Sequence, residues 1–317
     1  MTLIDLLREN PALFLGLVAL ASLFVGSFLN VVIHRLPIMM EREWAAGLEE
    51  LQVERGASAD AVGSLSVAAP VGSGGLGGAT FDVGSDAEPE RYDLAVPRSR
   101  CPSCDAPITA LQNVPIASWL LLRGKCANCR APISVRYPIV EAATMLLSLV
   151  VAWHFGPTPA AALGIVVTWF LVAMSMIDFD TQLLPDTLTL PLMWIGLLAS
   201  LVPVFVDVRE AVIGAAAGYL VLWSIFWLFK LIAGKEGMGY GDFKLLAALG
   251  ALLGWQALPS IILLSSVVGA VVGIAIIVAT RRSKDIPIPF GPYLAAAGWI
   301  AMLWGEELSR WYRGAMF

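Results

Sequence analysis

The chain has 317 residues, of which 58% are hydrophobic and 14% charged, with a formal net charge of −5. A soluble domain carries about 25% charged residues, and a mean hydropathy of +0.78 excludes that class. The composition is that of an integral membrane protein, and the acidic balance argues against a nucleic-acid binder.

In chain order, residues 1–10 carry Asp5, Arg8 and Glu9, and the apolar run after them lacks a small-residue exit, so it reads as a retained span and not as a cleaved signal. Eight apolar runs have the character of membrane spans: 11–33, 139–155, 160–177, 188–206, 211–232, 243–253, 258–280 and 290–304. Each is measured against about 30 Å of hydrocarbon. The run at 243–253 is short for this, and reads as tilted, re-entrant or completed by the residues after it. The expected fold is therefore an all-α polytopic membrane protein of about eight transmembrane helices, with one sizeable soluble region between helices 1 and 2. Residues 1–36 hold the first span, 37–136 the soluble region and 137–317 the main membrane domain. Lys230, Lys235, Lys244, Arg281, Arg282 and Lys284 share a side with the soluble region. The positive-inside rule then places that region in the cytoplasm and both termini outside.

The soluble region divides by composition. Residues 41–55, EREWAAGLEELQVER, read as a charged amphipathic helix, and 56–90 as a flexible Gly/Ala/Ser-rich insertion. The glycine run VGSGGLGGAT has no Lys-Ser/Thr after it and no strand before it, which a phosphate cradle requires. Residues 97–136 form a compact module containing all four cysteines, as the pairs Cys101/Cys104 and Cys126/Cys129. Each CxxC is followed by one polar residue and Ala-Pro-Ile, which predicts two similar half-sites. Four thiolates suit a structural Zn²⁺, and a reducing compartment favours metal over disulfides.

Two acidic clusters fall on the same side of this topology. The third span ends in IDFDTQLLPD with Asp178, Asp180 and Asp186, and the fifth and sixth runs are joined by a Gly-rich turn that ends in Gly239-Tyr240-Gly241-Asp242. Asp178 follows the apolar run directly and is the most deeply placed of its cluster. Asp180 reads as solvent-facing, and Asp186, after Pro185, as the N-cap of the next helix. Asp242 can likewise cap the helix it precedes. Lys235 and Lys244 read as lipid-headgroup contacts, with tuning of the Asp pair as the alternative. Two carboxylates within a few ångströms share a proton, so one can act as base on a water and the other as acid toward a carbonyl. The same pair could serve an ion-coupled transporter, and the spacing fits both. No HExxH or GxSxG occurs.

Five elements in order decide between them: FVGSFLNVVIHRLP (24–37), the twin CxxC module, RYPIVE (136–141), IDFDTQLLPD and GYGD. Outside 56–90 the chain resembles the bacterial type IV prepilin peptidases, aspartic peptidases with a GxGD signature. The resemblance implies cleavage of the short basic leader of type IV prepilins and of type II secretion pseudopilins, on the cytoplasmic face of the inner membrane. It implies that Asp178 and Asp242 are the catalytic pair, with Gly239 and Gly241 letting the backbone approach an extended substrate. In the bifunctional members the new N-terminus, usually Phe, is then methylated with S-adenosylmethionine. Retention of the cysteine region favours that form, and Gly26, Asn30, Arg35 and Glu141 are the candidate methyl-transfer residues. Their bland alternatives are helix packing for Gly26 and Ser27, an interface anchor for Arg35 and an arginine partner for Glu141. The turn at Pro289, Gly291 and Pro292 is expected to start the last helix and is assigned no chemistry.

Overall fold

The computed structural model describes residues 3–63, 92–234, 238–280 and 289–316. The ten α-helices among them are α1 (Leu3–Glu9), α2 (Pro11–Gly63), α3 (Ala117–Leu121), α4 (Arg136–Phe155), α5 (Pro159–Thr181), α6 (Asp186–Ala199), α7 (Val208–Ala233), α8 (Tyr240–Leu253), α9 (Leu258–Thr280) and α10 (Gly291–Met316). Two compact units result: Met1–His34 with Arg100–Phe317, and Arg35–Ser99. The described part of the insertion at 56–90 is the end of α2, through Gly63; its remainder, Lys235, Gly237 and the cations at 281–284 lie outside the described residues.

Five helices among the described residues are long and apolar enough to cross a membrane. They lie in α2, α4, α5, α7 and the stretch Trp255–Ile276 around α9. The exposed face of α2 carries Leu13, Leu17, Leu20, Phe24 and Phe28. That spacing forms one helical stripe, an apolar face that only lipid or a partner can cover. By contrast α6 and α8 have 14 residues each, and at 1.5 Å per residue reach only about 21 Å.

The short α8 is the helix around which the membrane unit closes. Every residue from Leu245 to Leu252 is buried, as are Asp242 and Phe243. Glycines on its neighbours make this possible, because apolar packing within lipid depends on close backbone approach. A Cβ on Gly218 of α7 would lie 2.6 Å from the Leu246 carbonyl oxygen, and one on Gly214 would run into that of Gly250. Gly196 of α6 meets Ala251 and Leu252, and Gly298 of α10 meets Leu249. Against α5, the Val151 side chain of α4 packs on Gly164. Helix ends are set by local chemistry: the Thr158 hydroxyl caps α5 by accepting from the Ala161 N–H at 3.3 Å, and Asp207 caps α7 by accepting from the Glu210 N–H at 2.9 Å.

The second unit is held by Arg35. Its guanidinium donates to the Asp93 carbonyl at 2.9 Å and the Pro97 carbonyl at 2.5 Å. The Arg42 guanidinium lies 4.2 Å from the Tyr92 ring centroid.

Candidate active site

Asp178 lies in the last turn of α5 and Asp242 in the first turn of α8. Both are buried, at 5% and 6% exposure. Gln182 ends α5 in the left-handed conformation, its N–H bonded to the Asp178 carbonyl at 2.9 Å. The chain therefore turns away directly after the acid and leaves the carboxylate inside. The Asp178 Oδ2 accepts the Gly291 N–H at 2.9 Å. Gly291 is the first residue of α10, where N–H groups lack intrahelical partners and the helix dipole favours an anion. A Cβ at Gly291 would stand 2.7 Å from that same oxygen, so only glycine lets this helix start touch the carboxylate.

Gly239 is the N-cap of α8, which places Asp242 three residues on. Asp242 is thus not the cap expected of it; it reaches back so that its carboxylate meets the Gly239 N–H, as the third residue of a capping box does. The charge on Asp178 bears directly on Asp242. The Asp242 Oδ1 is buried and makes no hydrogen bond among the described residues. Leu184, in the α5–α6 turn, sits against both glycines: its Cβ would be 2.5 Å from a Cβ on Gly241, and its Cδ1 3.2 Å from one on Gly291.

The two neighbouring acids are engaged elsewhere. Asp180 accepts two hydrogen bonds from the Arg136 guanidinium. Asp186 is the first residue of α6 and Pro185 its N-cap, so the expected capping role is not the one found. Its two oxygens instead accept from the Lys244 Nζ at 2.6 and 2.7 Å, which ties up the lysine read as a lipid contact. Among the described residues neither Asp178 nor Asp242 has a salt-bridge partner.

The four cysteines converge with all sulfurs within 4.8 Å of one another, and none is in a disulfide. The two knuckles repeat: Cys101 N–H donates to the Ala106 carbonyl and Cys126 N–H to the Ala131 carbonyl. Asp105 and Arg130 take matching positive φ values of 55° and 59°, and the bridges Arg100↔Pro107 and Lys125↔Pro132 close each half. Sulfurs around a tetrahedral ion with bonds of about 2.3 Å lie about 3.8 Å apart, and Cys101 and Cys129 are 3.8 Å apart. Backbone N–H groups of Cys129 and Asn128 draw the Cys126 thiol down to about 6. The Asn128 amide, above all, lowers Cys104. The Ala131 N–H favours the Cys129 thiolate, but the neighbouring sulfurs and burial outweigh it and push that thiol up to about 11. Such a set of sulfurs can hold a metal ion.

Of the methyl-transfer candidates, the membrane unit brings three together. The Glu141 Oε2 accepts the Ile116 N–H at 2.7 Å, and the Ser27 hydroxyl reaches the same carboxyl. Glu141 is therefore held by the cysteine module and α2, and no arginine pairs with it among the described residues. A Cβ on Gly26 would be 2.9 Å from the Glu141 Cα, so α2 and α4 touch there. Asn30 donates to the Tyr137 carbonyl at 3.2 Å. Arg35 belongs to the other unit. Ile116 holds its N–H in place at φ 56°, an outlier for a β-branched residue. Four contributors were not legible as such in the chain. Gly291 was visible only as a Gly-Pro pair opening a span, and Leu184 as an apolar residue in a polar turn. Ile116 and Ser27 gave no signal of a role at Glu141.

Comparison with known proteins agrees with the order of these elements. Residues 20–155 match the bacterial peptidase A24 N-terminal domain, and residues 165–274 match the type IV leader peptidase family. The chain is 53% identical over 310 residues to the prepilin leader peptidase/N-methyltransferase of Aeromonas salmonicida (strain A449), covering 98% of this chain and 97% of the relative. Identity to the protein of that name from Aeromonas hydrophila is 54% over 310 residues, with the same shares. For the one from Pseudomonas aeruginosa it is 49% over 314 residues, 98% of each chain. No solved structure matches.

Proposed function

Because the chain belongs to the type IV leader peptidase family, we propose that it cleaves the leader of type IV prepilins and then N-methylates the new N-terminus. Pseudopilins of type II secretion are proposed as further substrates. The observation that carries this reading is the pair of buried carboxylates, Asp178 and Asp242, interacting with each other and with no cation among the described residues. The working site is the bacterial inner membrane, with the active sites toward the cytoplasm and residues 137–317 as the peptidase domain.

In the reaction, one carboxylate takes a proton from a water as its oxygen attacks the scissile carbonyl, and the other donates a proton to the carbonyl oxygen. The C–N bond then breaks and the leaving amine takes a proton. The two carboxylates need unlike protonation states for this, and two adjacent acids that share one proton provide them. The Gly291 N–H holds the Asp178 Oδ2, and the Asp242 Oδ1, with no protein partner among the described residues, is the oxygen free to meet water or substrate. Gly239 keeps a side chain off the backbone next to it, where an extended substrate must lie, while Gly241 gives its side-chain space to Leu184.

For the second reaction, S-adenosylmethionine supplies an electrophilic methyl group. Glu141 is the group proposed to bind and deprotonate the new ammonium, since a carboxyl inside a span marks function by default. Gly26 and Asn30 fix α2 against it. Arg35 is proposed to take part in the same reaction. The four cysteines would hold a structural Zn²⁺ that shapes the loop carrying Ile116.

The test is a prepilin in membranes with S-adenosylmethionine, read by mass spectrometry of the product N-terminus. The proposal predicts a shortened, methylated chain. An intact leader, with ion-dependent flux across liposomes, would point to ion coupling instead. A cleaved but unmethylated end would remove the second activity alone.

A further inference from the structure

We propose that the loop and short helix between the two cysteine knuckles rest in the headgroup layer of an anionic phospholipid leaflet, with Leu111, Leu120 and Leu121 inserted and Arg123 and Lys125 on the phosphates.

The first observation is exposure. Leu111 and Leu121 are 83% and 84% exposed and Leu120 is 61% exposed, and α3 buries none of its residues. Leucines grouped this way mark a contact surface.

The second is depth. α4 has 20 residues, about 30 Å at 1.5 Å per residue, and the hydrocarbon it crosses is about 30 Å thick. Almost its whole length is needed to cross. Glu141 lies five residues in from Arg136, roughly 8 Å along the axis, and the Ile116 N–H is bonded to it. α2 gives the same level: Gly26 touches Glu141 and lies 15 residues past Pro11, about 22 Å. Glu141 lies 14 residues before Phe155, about 21 Å. Ile116 is followed at once by α3. The leucines of α3 therefore start at the level of a membrane helix, where lipid is their surroundings.

The third is charge. From Ala106 to Tyr137 the sequence has no Asp or Glu, in a chain whose net charge is −5. Arg136 is bonded to Asp180, while Arg123, Lys125 and Arg130 are exposed. Apolar side chains followed directly by Arg and Lys are the pattern of a surface-bound segment, whose long cations reach back to the headgroups. Neutral lipid would satisfy the leucines alone; the cations select an anionic leaflet.

The test uses the full chain in nanodiscs, with an environment-sensitive fluorescent amino acid at Leu121, the most exposed of the three leucines. Quenching is read with lipids brominated near the headgroup end of the acyl chain. The expected result is a loss of roughly half the emission or more in discs containing phosphatidylglycerol, and clearly weaker quenching when Arg123→Glu and Lys125→Glu are combined. Emission typical of water and no bromolipid quenching would overturn the proposal. So would protection that appears only after a prepilin is added, which would make the patch a substrate surface.

Discussion

At the ends of α5, α8 and α10 two carboxylates are set by helices packed backbone to backbone, with glycines where other residues carry side chains. In the cysteine module four sulfurs are set by two short knuckles around which little apolar surface is buried. The first site owes its geometry to the same packing that folds the membrane unit. The second brings four thiols together without an apolar core, an arrangement that a metal completes. Of the two proposed sites, one is built into the core, and the other, at Glu141, accepts a hydrogen bond from the Ile116 N–H of the cysteine module.

That contrast is sharpest where a carboxylate itself is removed. Asp178→Ala and Asp242→Ala should each lower prepilin cleavage by roughly 10³-fold or more, yet leave methylation of a pre-cut substrate intact. Loss of both activities in either variant would mean the two regions do not work separately. The reverse case is Cys101→Ser or metal chelation. Methylation should fall at least about 10-fold with loss of bound zinc by metal analysis, while cleavage of the leader is kept within a few-fold. Gly291→Ala is a finer probe, because its methyl would press on the Asp178 Oδ2. A displacement of about 1 Å costs on the order of 10²-fold in rate, so cleavage should drop by about that factor with an unchanged melting profile in detergent. The smallest effects belong to the acids already engaged by cations. Asp180→Ala and Asp186→Ala remove half-exposed pairs with Arg136 and Lys244, each worth about 0.2–1 kcal/mol, and should keep cleavage within several-fold of the wild type.

Much of this arrangement was legible in the chain. The apolar runs, the twin CxxC spacing and the Gly-rich turn before Asp242 are local signals, and each names its own element. The chain set Asp178 apart by its place directly after the apolar run, but it could not convey the partners of these acids: tertiary packing brings Arg136 to Asp180, Lys244 to Asp186 and the α10 start to Asp178. The same holds for helix length. Run 243–253 gave no reason to be central, but the glycines of α6, α7 and α10 converge on it, and a helix too short to cross is the most buried one. Asp186 and Asp242 look like N-caps in the sequence but are not, because Pro185 and Gly239 begin their helices one and three residues earlier. A boundary shift of that size is invisible to composition.

The central claim is that Asp178 and Asp242 work as one unit. The most direct measurement is a double-mutant cycle in the cleavage assay with Asp178→Asn, Asp242→Asn and the pair, each isosteric so that packing is kept. The expected result is a loss of roughly 10³-fold in each single variant and little further loss in the double, since groups that act together are strongly non-additive. A double variant whose loss is the product of the two single losses, or either single variant cleaving at the wild-type rate, would contradict it.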